Sequence, residues 1–130
     1  MCRVTRNAVT RFQSFLLGLT TFAGAHNVEV LLWPVWFGGM HDPWFLNSGR
    51  AIAFTMTCMF GASVVAGILG LSGAWIAAGG ATAMAIVLSL QGGSTIFPIV
   101  IAGGGLFIAS ASLLGTWVGS EICRWVQPKE

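Results

Sequence analysis

Charge is what this sequence has least of. Of its 130 residues only 8% are Asp, Glu, Lys or Arg, while 55% are apolar. An average soluble domain carries about 25% charged and about 45–50% apolar residues. Water could not solvate the surface of a fold made this way. The shortage is also local, since no charged residue occurs anywhere from Ala51 to Ser120.

Motifs that carry chemistry are missing as well. There is no P-loop, no dinucleotide fingerprint, no zinc spacing, no paired carboxylates and no Ser with an adjacent His and Asp. Bis-histidine haem binding needs two intramembrane histidines at similar depth, and this chain supplies at most one. These absences argue against an autonomous enzyme, and no cofactor is expected. The formal charge of +2 is concentrated in short tails; it can orient the protein and touch anionic lipid, but it makes no nucleic-acid patch.

What is present is long apolar runs. A hydrocarbon core about 30 Å thick needs roughly 20 helical residues per crossing, at about 1.5 Å of rise each. The uncharged stretch therefore holds three crossings and their turns. No water is available in lipid to satisfy peptide groups, so a spanning segment is a helix or part of a closed barrel. Barrel strands alternate and are about ten residues long, unlike these unbroken runs. The expected fold is all-α, a small multi-pass transmembrane bundle forming one membrane domain over residues 1–130. Gly and polar residues place the turns at Leu71-Ser72-Gly73 and Gln91-Gly92-Gly93-Ser94. The later spans are then 51–70, 74–90 and 95–119, with Pro98 in the first turn of the last, where a missing N–H does least harm.

Two readings compete for the N-terminus. Residues 12–37 form a fourth transmembrane helix, entered after Arg3, Arg6 and Arg11, with Trp33, Trp36 and Trp44 in the far aromatic belt. Alternatively the same stretch is a signal peptide with Ala23-Gly24-Ala25 as its cleavage site, which leaves three helices. The uncleaved form is preferred, because the apolar run before His26 is short and apolar character resumes at Val30. Both readings place the 38–50 loop outside and the C-terminus inside. Five of the six basic residues then face the cytoplasm, as the positive-inside rule asks. The expected location is the bacterial cytoplasmic membrane, with both termini inside if uncleaved. Cys2 and Cys123 near that face are expected as reduced thiols, with no structural disulfide.

The polar residues suggest three candidate sites. His26 and Glu29, three apart, share a helix face inside an apolar segment. Intramembrane ionisable groups are costly and usually face a protein interior or a water path, so the pair is a candidate ion or proton path; its plainer account is an interfacial or structural role. Met40, His41 and Asp42 in the outer loop are possible metal ligands, against the simpler reading of a Gly- and Pro-punctuated turn. Met56, Cys58 and Met59 place soft sulfur on the next helix, where Met and Cys also serve as ordinary fillers.

Small residues carry the clearest structural message. Ala111, Gly115 and Gly119 repeat every four residues on the last span, as do Ala62, Ala66 and Gly70 on the span that begins at Ala51. Such spacing lets helix backbones approach closely where lipid offers no hydrophobic drive. The expected partners are the bilayer and either other membrane subunits or further copies of the chain. Three functions follow as expectations: a non-catalytic accessory or structural subunit of a larger membrane complex; a small homo-oligomeric channel or transporter using His26 and Glu29, with Ser63, Thr82 or Ser112 lining it; or a phage-type pore former.

Overall fold

The structure, a computed structural model, describes residues 8–37, 49–90 and 97–127. These residues form four helices, α1 (Ala8–Leu32), α2 (Gly49–Ile68), α3 (Gly73–Leu90) and α4 (Phe97–Val126). All four are long and apolar enough to cross a membrane. α1 is already helical at Ala8, before residue 12, and α4 runs to Val126 rather than ending near residue 119. The extension of α4 keeps its charges compatible with a helix by pairing them: Arg124 Nη1 lies 2.6 Å from Glu121 Oε1, one turn away.

α1 passes into a π-helical turn over Trp33–Phe37. Pro34 explains the change of register, since it has no N–H and its ring crowds the carbonyl four residues back. Carbonyls at a helix end lack intrahelical donors. Arg50, at the start of α2, supplies one by donating from Nη1 to the Trp36 carbonyl at 3.4 Å.

The α2–α3 connection is a tight reversal around Gly70, whose φ of 75° lies in the left-handed region. The Gly70 N–H donates to the Gly67 carbonyl at 3.2 Å and the Leu71 N–H to the Ala66 carbonyl at 2.8 Å. This pairing closes the helix with the open carbonyls satisfied, and glycine alone adopts that backbone without a Cβ penalty. Gly70 is therefore a helix terminator and not the third member of a packing row. Across the turn, the Ser72 N–H donates to Ser14 Oγ at 3.1 Å and so ties the reversal to α1.

Around the bundle the helices run in the order α1, α3, α4, α2. α2 packs mainly on α4 and α1 on α3, α3 also packs on α4, and the consecutive helices α2 and α3 barely touch. Glycines set the closest approaches. A Cβ on Gly18 would overlap the Ile76 carbonyl oxygen, and one on Gly79 would overlap that of Phe15. Gly119 lies as tightly against the Val64 carbonyl, and a Cβ on Gly115 would come 2.6 Å from Ser63 Cβ. The Ala111, Gly115 and Gly119 face of α4 is thus turned toward its neighbours. On α2 the inward row is Ala51, Thr55, Met59, Ser63, Ala66 and Gly67, while Ala62 is only half-buried.

Polarity is distributed in the reverse of a water-soluble fold. Ser14, Glu29, Thr55, Ser63 and Ser112 are buried, whereas Leu31, Leu90, Leu106 and Trp125 are each more than two-thirds exposed. Lipid accepts large apolar side chains, and polar groups go where other polar groups can meet them. Phe22, Met59, Ile76, Met84 and Ile108 fill the centre.

Candidate functional site

One face of α1, continued into the π-helical turn, points into the bundle through Phe22, Ala25, Glu29 and Trp33, all buried. Their spacing of three or four residues is that of a single helical face. It leaves Glu29 with no exposed surface. Thr55, on the inward row of α2, donates its hydroxyl to Glu29 Oε1. The second carboxyl oxygen, Oε2, has no hydrogen-bond partner among the described residues. His26 Nδ1 stands 4.0 Å from it, on a side chain that is 12% exposed. His26 thus lies between the outer surface of α1 and the buried acid. Asn27 points the other way, is exposed and donates back to the Ala23 carbonyl at 2.8 Å.

This carboxyl contact has a structural consequence. Among the described residues, the close glycine contacts join α1 to α3, α2 to α4, and α3 to α4 and to Met59 of α2, and none joins α1 to α2. The Glu29–Thr55 hydrogen bond is therefore a directional link at a seam that lacks close glycine packing. Cys58, one helical turn beyond Thr55, is a free, half-buried thiol beside this seam.

The remaining candidates scatter. Met40, His41 and Asp42 lie outside the described residues. Among the described residues no group of three His, Cys, Asp or Glu side chains is placed to hold a metal ion. Met59 is in the core, whereas Met56 lines an outward cleft between α2 and α4 with Phe60 and Phe107. Ser63 and Ser112 are buried, and their hydroxyl oxygens have no hydrogen-bond partner among the described residues. Thr82 is exposed and donates to the Ala78 carbonyl at 2.8 Å, so it lines nothing in common with them. Cys123 corrects another expectation: it is disulfide-bonded rather than a reduced thiol. That expectation came from compartment chemistry, which says nothing about which segments a fold brings together.

Thr55 was the functional neighbour missed by sequence reasoning. Nothing in the chain distinguishes it from Thr57, which is exposed and returns its hydroxyl to the Ala53 carbonyl at 2.7 Å. Two positions along a helix differ by about 200° of rotation, and that rotation decides which threonine meets the acid.

Four apolar helices around a buried carboxyl group define an all-helical, multi-pass membrane protein. The chain matches no protein-family model, no curated protein and no solved structure.

Proposed function

We propose that this protein is a non-catalytic subunit of a larger membrane assembly, seated in the bacterial cytoplasmic membrane with both termini on the cytoplasmic side. The outward face of α3 carries this reading. Ala81, Thr82, Ala85, Ile86, Ser89 and Leu90 line a cleft there that no helix of the bundle covers. Small side chains and hydroxyls are the groups through which membrane helices associate closely. A helix of another subunit fits that face better than lipid, which gains nothing from close backbone approach. α1 belongs to the mature protein in this reading, because removal at Ala25 would cut a continuous helix and take Phe22 from the core.

Purification of the full chain at native expression level in mild detergent tests the assignment. A membrane protein in fixed ratio is expected with the wild type, alongside a chain whose intact mass includes residues before His26. Thr82→Leu should release that partner without lowering the melting temperature, since Thr82 touches no core. Recovery of the wild type alone, or retention of the partner by Thr82→Leu, would sink the proposal.

A second reading, a conduit for protons or small cations, draws support from Glu29 Oε2, which has no hydrogen-bond partner among the described residues, and the imidazole 4.0 Å away. Against it stands Met59, fully buried between Thr55 and Ser63 on the inward row of α2, which interrupts any polar path along that row. Liposomes holding purified protein distinguish the two. A conduit leaks protons or sodium and loses this with Glu29→Gln, whereas tight liposomes with both versions leave the subunit reading standing.

A further inference from the structure

The start of α1 and the start of α3 meet at one end of the bundle, held together by the Ser72–Ser14 hydrogen bond. Between them Ala8, Arg11, Phe12, Phe15 and Trp75 line a cleft of about 420 Å³. We propose that this cleft is a binding site for one anionic phospholipid, with the phosphate against Arg11 and an acyl chain along Phe12, Phe15 and Trp75.

Charge complementarity selects the ligand. Of the three described basic residues, Arg124 is paired with Glu121 and Arg50 donates to the Trp36 carbonyl at the other end of the bundle. Arg11 is exposed, and no carboxylate pairs with it among the described residues. The first described turn of α1 contains no acidic residue that would offset this charge. A guanidinium binds phosphate through two parallel hydrogen bonds, which a zwitterionic headgroup dilutes with its own cation.

The walls select a lipid over a free anion. Phe12 is 62% exposed and Trp75 42% exposed. With Phe15, which stands one helical turn further into the span than Arg11, they give the cleft an apolar wall beside the guanidinium, the surface an acyl chain needs next to its phosphate. Tryptophan at the end of a span sits at headgroup depth, and the positions of Arg11 near the start of α1 and Trp75 near the start of α3 place both at that level. The inference is independent of any partner subunit and of Glu29.

The test uses the full-length protein in detergent, titrated separately with short-chain phosphatidylglycerol, short-chain phosphatidylcholine and inorganic phosphate. Native mass spectrometry gives the stoichiometry and the melting temperature the stabilisation. One phosphatidylglycerol should be retained, with about five-fold preference over phosphatidylcholine, the factor for one basic side chain near an anionic lipid. Arg11→Gln should abolish the preference and Arg11→Lys should keep most of it. Phe12→Ala should weaken both lipids alike. Equal retention of the two lipids by the wild type, or a preference that survives in Arg11→Gln, overturns the proposal. Stabilisation by inorganic phosphate equal to that by phosphatidylglycerol overturns it in favour of a free-anion site.

Discussion

Gly79→Ala is expected to destabilise the bundle by about 3 kcal/mol, the upper part of the range for overpacked cores. The added methyl group meets the Phe15 carbonyl oxygen and lies 2.9 Å from the Leu19 nitrogen, both backbone atoms of α1. Backbone cannot rotate away as a side chain can, so α1 and α3 must separate along their length. Dispersion is then lost over the whole contact, because it falls steeply with distance. In lipid no hydrophobic term offsets that loss. Unfolding in detergent, followed by circular dichroism against denaturant, reads the change. Gly24→Ala, on the partner helix α1, is the control, since a Cβ there meets nothing within 4 Å; stability should be unchanged or rise by up to about 1 kcal/mol from helix propensity. Similar losses in the two variants would show that the effect belongs to the glycine-to-alanine change itself and not to the α1–α3 crossing.

The second large effect is expected at the buried acid. Thr55→Val nearly preserves shape but removes the hydroxyl that donates to Glu29 Oε1. Oε2 already has no hydrogen-bond partner among the described residues. Interhelical hydrogen bonds in membranes average about 0.6 kcal/mol, yet leaving a buried acceptor unsatisfied costs about 1–3 kcal/mol. A loss of about 2 kcal/mol is therefore expected, with the deficit concentrated where α1 meets α2. The double variant Glu29→Leu with Thr55→Val should recover most of it, because no polar atom is then stranded. Thr57→Val, altering an exposed hydroxyl bonded to its own helix, should change stability by under about 0.5 kcal/mol. A Thr55→Val protein as stable as Thr57→Val would remove the hydrogen bond from the account of how α1 is held.

The role of Glu29 bears on both proposed functions. In a subunit its carboxyl group fastens α1 to α2 and is expected to matter for stability alone. In a conduit the same substitution that weakens the seam must also change flux. Measuring stability and leak on one preparation of Glu29→Gln therefore separates the two readings without relying on either measurement singly.

Some of this architecture was legible in the chain. The uncharged stretch from Ala51 to Ser120 required three crossings from membrane thickness and helix rise alone. Glu29 could be singled out as an acid within an apolar run, and Ala111, Gly115 and Gly119 as a surface for close approach. Each of these follows from one-dimensional information, because a charge in lipid is expensive wherever the helix points and a glycine lacks a side chain in any orientation.

Only the tertiary structure decided which faces turn inward. A helix in a water-soluble protein declares its inner face by being polar on the other side. These helices are apolar all round, with Leu31, Leu90 and Leu106 facing outward as Phe22, Ile76 and Ile108 face inward. No contrast remained to show that Thr55 and not Thr57 meets the acid, or that the inward row of α2 runs through Met59 and Ser63 rather than Ala62. The pairing of α1 with α3 was equally hidden, since glycine spacing announces a close approach without naming the partner. That choice rests on which two surfaces fit backbone to backbone, a property of pairs of helices that no single segment contains.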